Sequence, residues 1–260
     1  MIRKILKSAV FVAMLCGLLS LDAPGWIFGG MPKIQAENPL ITDGDFESNA
    51  DGQQLRAKEK WGWCESRRNG NGRMLLKCSK KKVFGNATTK AMIKGDPEYN
   101  TYMTQRLGES QTGEFALQWD ICVREILPQY NRSAFQIIGD ASAKGKGPNA
   151  VGKERFVFLG FENAETPGKI NLVAFEGGKE WDKKTLVAPG LDLKTWYTVS
   201  VKVDVSKKRY TVSVPGVMDT PVEMEAYKVK KGPPKKLTHI SFASWNDGPG
   251  TFYIDNVRQP

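Results

Sequence analysis

At 260 residues, with 40% apolar and 25% charged side chains, the chain is long enough to bury a sizeable core and too apolar to be a disordered polymer. A single histidine and four cysteines without zinc-ligand spacing exclude a Cys/His metal centre. The formal charge of +10 is that of a chain drawn to anionic partners, and no nucleic-acid-binding motif accompanies it.

Residues 1–36 read as a cleavable signal peptide. Arg3, Lys4 and Lys7 precede the apolar run "SAVFVAMLCGLLSL" (8–21), which is shorter than a membrane-spanning helix needs. Residues 37–260 then form a single domain with no transmembrane span, and the product is secreted, periplasmic or displayed at the cell surface. Removing residues 1–36 takes away four bases and one acid, so the charge falls from +10 to +7. Of the three remaining cysteines, Cys64 and Cys78 bracket the turn-forming "NGNG", and a hairpin there brings them together as a disulfide. Cys122 reads as a free thiol.

Strand patterns follow in succession. "EFALQWDICVRE" (114–125) alternates, with Phe115, Leu117, Trp119, Ile121 and Val123 on one face. "RFVFLGF" (155–161) and "INLVAF" (170–175) are apolar on both faces. "WYTVSVKVDV" (196–205) alternates again and turns at "SKK" into "RYTVSVPG", the clearest hairpin in the chain. "LTHISFAS" (237–244) leads through "WNDGPG" into the closing "TFYIDNV". No long helical period occurs, so the expected fold is all-β, an antiparallel sandwich.

Both ends of residues 37–260 resemble known sugar-binding domains. "NPLITDGDFES" with "WGWCE" is similar to the opening of carbohydrate-binding modules. "LDLKTWYTVSVKVDVSKKRYTVSVPG" and "ISFASWNDGPGTFYIDNV" resemble the last strands of concanavalin A-like, laminin G-like lectin domains. The resemblance implies a jelly-roll β-sandwich and a structural calcium where first and last strands meet. The matching positions are Glu47 and Asp255, with Asp43 and Asp45 as additions.

Sugar binding requires flat aromatic rings beside amides and acids. Trp245, Asn246 and Asp247 in "SWNDG" supply these in succession, and Trp61, Trp63, Trp181, Tyr99 and Tyr102 are further candidates. Catalysis is less well provided for. The acid spacing of family sixteen glycoside hydrolases is missing, and the one histidine, His239, lacks the motif of alginate lyases. If Ile240 and Phe242 point inward, His239, Ser241 and Trp245 share the other face, where Tyr253 and Asp255 of the next strand would join them. Gln118, Asp120 and Arg124 stand on a comparable face. Three readings therefore stand: a non-catalytic binder of a glycan, including an acidic polysaccharide; a polysaccharide lyase or glycoside hydrolase on the same fold; and a structural or adhesive envelope protein.

Overall fold

Period-two alternation decides the architecture, because each strand must bury one face and the runs 155–161 and 170–175 are too apolar to leave either face wet. The computed structural model describes residues 39–53, 55, 63–67, 76–98, 100–129, 131–141, 154–178 and 183–260. The expected signal peptide, Trp61, Tyr99 and Trp181 lie outside the described residues. Residues Asn38–Pro260 form one unit, and no described helix is long and apolar enough to cross a membrane.

Fourteen strands form among the described residues: β1 (Cys64–Arg67), β2 (Leu76–Ser79), β3 (Lys90–Lys94), β4 (Thr101–Gln111), β5 (Glu114–Ile126), β6 (Arg132–Gly139) and β7 (Arg155–Asn163). They continue as β8 (Lys169–Phe175), β9 (Lys184–Asp192), β10 (Trp196–Asp204), β11 (Arg209–Ser213), β12 (Val222–Glu225), β13 (Leu237–Ser244) and β14 (Gly250–Arg258). The first sheet runs β1-β4-β13-β6-β7-β8-β9 and the second β12-β11-β10-β5-β14-β3-β2. All pairings between these strands are antiparallel. This is the all-β antiparallel sandwich that the strand pattern implied.

The main core lies between the sheets. Leu117, Trp119 and Val201 of the second sheet meet Leu159, Ile240 and Phe242 of the first, all of them fully buried. Trp119 stands edge-on to Phe242 at 5.6 Å and donates its indole N–H to Gln136 Oε1 at 2.9 Å, so its polar atom is satisfied inside the core. The predicted hairpin forms as β10 and β11, with Asp204 opposite Arg209 at its mouth. Phe252 and Ile254 of the closing strand are likewise buried.

Three expectations are corrected by the topology. Cys64 and Cys78 are not on the arms of one hairpin: β1 pairs with β4 in the first sheet and β2 with β3 in the second. Cys78 is a buried free thiol. The five-residue link between β13 and β14 is a crossover between sheets, so Tyr253 and Asp255 do not stand beside His239. Finally, the "GDFES" stretch is a run of bends and turns rather than a first strand. It packs on the last strand so closely that a Cβ on Gly44 would lie 1.8 Å from the Val257 carbonyl oxygen, while the Gly44 carbonyl accepts from the Val257 amide at 2.8 Å.

Candidate functional site

The first sheet has two buried faces, and this sets it apart from an ordinary sandwich layer. Outside the main core lies a second apolar cluster of Tyr102, Phe135, Ile137, Phe158, Val173, Phe175, Tyr227, Ala243 and Trp245. Most of these residues sit on β4, β6, β7, β8 and β13, on the side of the first sheet turned away from the second. The continuous apolar runs of β7 and β8 follow from this double coverage.

A strap covers that face. After β12 the chain leaves the second sheet, and the Tyr227 amide donates to the Phe156 carbonyl at 2.8 Å. The Lys228 amide then donates to the Glu176 carbonyl, and Gly178 donates back to Lys228, both at 2.8 Å. Tyr227 thereby stands edge-on to Phe158 at 5.6 Å.

Within this cluster Trp245 stacks on Phe135 at 4.2 Å, and Phe158 stacks on Phe175 at 4.4 Å. The Arg155 guanidinium lies over three rings, 4.4 Å from the centre of Phe158, 4.8 Å from Trp245 and 5.5 Å from Tyr227. Such contacts are worth about 0.5–2 kcal/mol each depending on desolvation. Burial weakens the hold of this guanidinium on its proton, while the Tyr227 hydroxyl beside it favours the charged form. Arg155 makes no ion pair among the described residues, and its Nε and the Trp245 indole N–H are both buried without an acceptor.

Polar groups continue the same face at its other end. Arg106 pairs with His239 across β4 and β13, and the Thr104 and Ser241 hydroxyls bond to each other. Thr238 spends its one hydroxyl proton on Asp140 at 3.1 Å and accepts from the Ala141 amide, so its 2.8 Å contact with His239 is received from Nδ1–H. Burial first, then the Arg106 charge, pushes the His239 pKa down to about 4. The acids around this face are matched: Glu162 by Lys184, Glu176 by Lys183 and Thr185, and Asp247 by Arg132.

The sequence candidates fall into several places. Trp245 faces the covered cluster and is 7% exposed, so it is not an open stacking platform. Asn246 and Asp247 are exposed beside it, with the Asn246 amide bonded to Asn100 Oδ1 at 2.7 Å. Trp63 is a core residue, packed on Phe46 and Phe242 with its N–H bonded to the Asp43 carbonyl at 2.9 Å. Tyr102 does belong to the outer cluster. Arg155, Phe158 and Tyr227 were not singled out from the sequence; the available signal was a base opening a run with two apolar faces.

The expected metal ligands each accept hydrogen bonds from nearby groups. Both Glu47 oxygens accept from Thr89, the amide at 2.8 Å and the hydroxyl at 2.9 Å, and these bonds hold its carboxyl below the usual range. Asp255 accepts from Asn86, Thr88 and the Asn256 amide, yet burial pushes its carboxyl up. Asp43 accepts from Asn49 and Ser48, and Asp45 from the Glu47 amide. Among the described residues no group of three or more His, Cys, Asp or Glu side chains is placed to hold a metal ion.

No family model matches the chain, and no curated protein matches it. Among solved structures it is similar to a carbohydrate esterase from the Shiga toxin-encoding bacteriophage phi24B, at 11% identity and a TM-score of 0.49, over 85% of this chain and 99% of that one. The carbohydrate recognition domain of Emp47p gives 12% identity and a TM-score of 0.45 over 79% and 92%. A sialidase gives 13% and 0.48 over 76% of this chain, which spans 17% of the sialidase.

Proposed function

We propose that the protein is an exported glycan-binding protein that takes an acidic polysaccharide on the outer face of its first sheet without cleaving it. The observation that carries this reading is Arg155: a mostly buried cation on an aromatic floor, with no ion pair among the described residues, whose own Nε and the neighbouring Trp245 N–H both lack an acceptor. A buried charge of this kind is costly unless a partner arrives. A uronic acid supplies the missing part, a carboxylate for the guanidinium. Glu162, Glu176 and Asp247 have cationic partners of their own, while Arg155, whose charge Tyr227, Tyr102 and Glu154 favour, makes no ion pair among the described residues.

Binding rather than bond cleavage fits the state of His239. A general base works best with a pKa near the working pH, and this imidazole is buried, neutral and bonded through Nδ1.

Titration calorimetry with uronic acid oligosaccharides and their neutral counterparts tests the reading. The acidic ligand binds the native protein and weakens with added salt. Arg155→Gln loses at least about tenfold in affinity, in line with a lost charge-assisted pair, whereas Trp245→Phe, which keeps a ring but not the N–H, loses only a few-fold. No binding to any acidic glycan, or release of new sugar ends from one, would overturn it.

A further inference from the structure

The lysine that follows Thr88 and Thr89 is among the largest fully buried side chains of the molecule. Lys90 opens β3 beside the closing strand, and none of its surface reaches solvent. Its ammonium donates to two main-chain carbonyls, Lys81 at 2.9 Å and Ser79 at 3.4 Å. Burial is the largest influence on its charge and weakens its hold on the proton, while Asp255, then Glu47, then Asp51 favour the charged form.

Carbonyls from one loop and carboxylates from both ends of the chain are the donors a calcium ion would draw on. Here that donor set does not fit the ion. The carboxylate oxygens of Glu47 and Asp255 are already engaged by hydroxyls and N–H groups, and the charge of Lys90 acts on both. A divalent cation held by these carboxylates would be repelled by that ammonium.

We infer that the Lys90 ammonium is the cation of this junction, a covalently attached substitute for the calcium expected there, which fastens the segment around Glu47 to the last strand without metal. The geometry explains why a lysine is tolerated at zero exposure: two main-chain carbonyls receive the ammonium, and the residues just before it, Thr88 and Thr89, bond to Asp255 and Glu47. It also explains why Asp255 remains buried beside Asn86 and Thr88.

Thermal unfolding of the purified protein decides the matter. With millimolar calcium or with excess chelator the native protein melts at the same temperature, within about 1 °C. Lys90→Met leaves the carboxylates without their cation and lowers the midpoint by roughly 10 °C. Adding Asp255→Asn to Lys90→Met lowers it by clearly less than the same change in the native background. If Lys90→Met does not fold, calorimetry on the native protein still answers. A fall of several degrees with chelator, stoichiometric calcium binding below millimolar concentration, or an unchanged midpoint in Lys90→Met would each overturn the inference. None of these readouts depends on glycan binding, so the two proposals fail separately.

Discussion

His239 shows how one residue ties burial to pH response. Its pKa of about 4 lies below the ordinary value of 6.5, so the unfolded chain takes up a proton that the folded one refuses. The stability tied to that group is fully present above pH 6.5 and is lost as pH falls toward 4, by roughly 3 kcal/mol in all. Asp255 acts with the opposite sign, because its raised carboxyl is protonated more readily in the folded form, and it offsets part of the loss at the acid end. The expected outcome is a melting temperature that declines between pH 6.5 and 4.5, and a flatter profile over that window for His239→Gln. An identical slope in the two proteins would show that the imidazole is not the group responsible.

Among the elements, β14 shows what strand pattern reveals and what it hides. Its alternation correctly marks Phe252 and Ile254 as core residues, since period two assigns faces. It does not assign sheets, and the five-residue link from β13 reads as a hairpin although it crosses the sandwich. The same limit explains Trp63 and Trp245: an aromatic beside a turn is visible in the sequence, but Phe46, Arg155 and the strap at Tyr227 that enclose these rings come from distant positions. The alternating strands β5 and β10 were legible because neighbours on both sides leave their outer faces to polar residues. Nothing in "TTKAMIK" marked Lys90 as internal, because the Ser79 and Lys81 carbonyls that receive its ammonium lie outside its own strand and carry no side-chain signal.

The register of β14 against β5 shifts between Asp255 and Arg258, and Asn256 sits in that irregularity at a φ of 50°. Its side chain donates to Asp120 at 2.8 Å, sharing that carboxylate with Thr198. Asn256→Ala loses this bond and leaves a Cβ residue in the left-handed region without compensation, at a cost of about 2 kcal/mol. Urea denaturation measures it through the midpoint, and a change below about 0.5 kcal/mol would show that the irregularity tolerates any residue.

At the scale of the whole molecule, charge is distributed unevenly in its consequences. Several lysines and arginines on the second sheet are committed to surface pairs: Lys202 and Lys207 with Glu114, Lys207 with Asp204, and Arg209 with Glu223. These line a groove of about 300 Å³ whose ring, Tyr210, is buried. Mixed charge without an exposed ring makes it a poor platform for a sugar. Raising the salt from 0.05 to 0.5 M is therefore expected to weaken acidic-glycan binding while moving the melting temperature little, because exposed pairs contribute about 0–1 kcal/mol each.

The buried ammonium of Lys90 has an ecological side as well. Polymers of uronic acid collect divalent cations, so a domain held shut by exchangeable calcium would compete with its own ligand for the ion that keeps it folded. A fastening grown from the chain cannot be titrated away by the surroundings. Saturating polyuronate should accordingly leave the melting temperature of this protein unchanged or raise it, where a calcium-fastened sandwich would soften in the same bath.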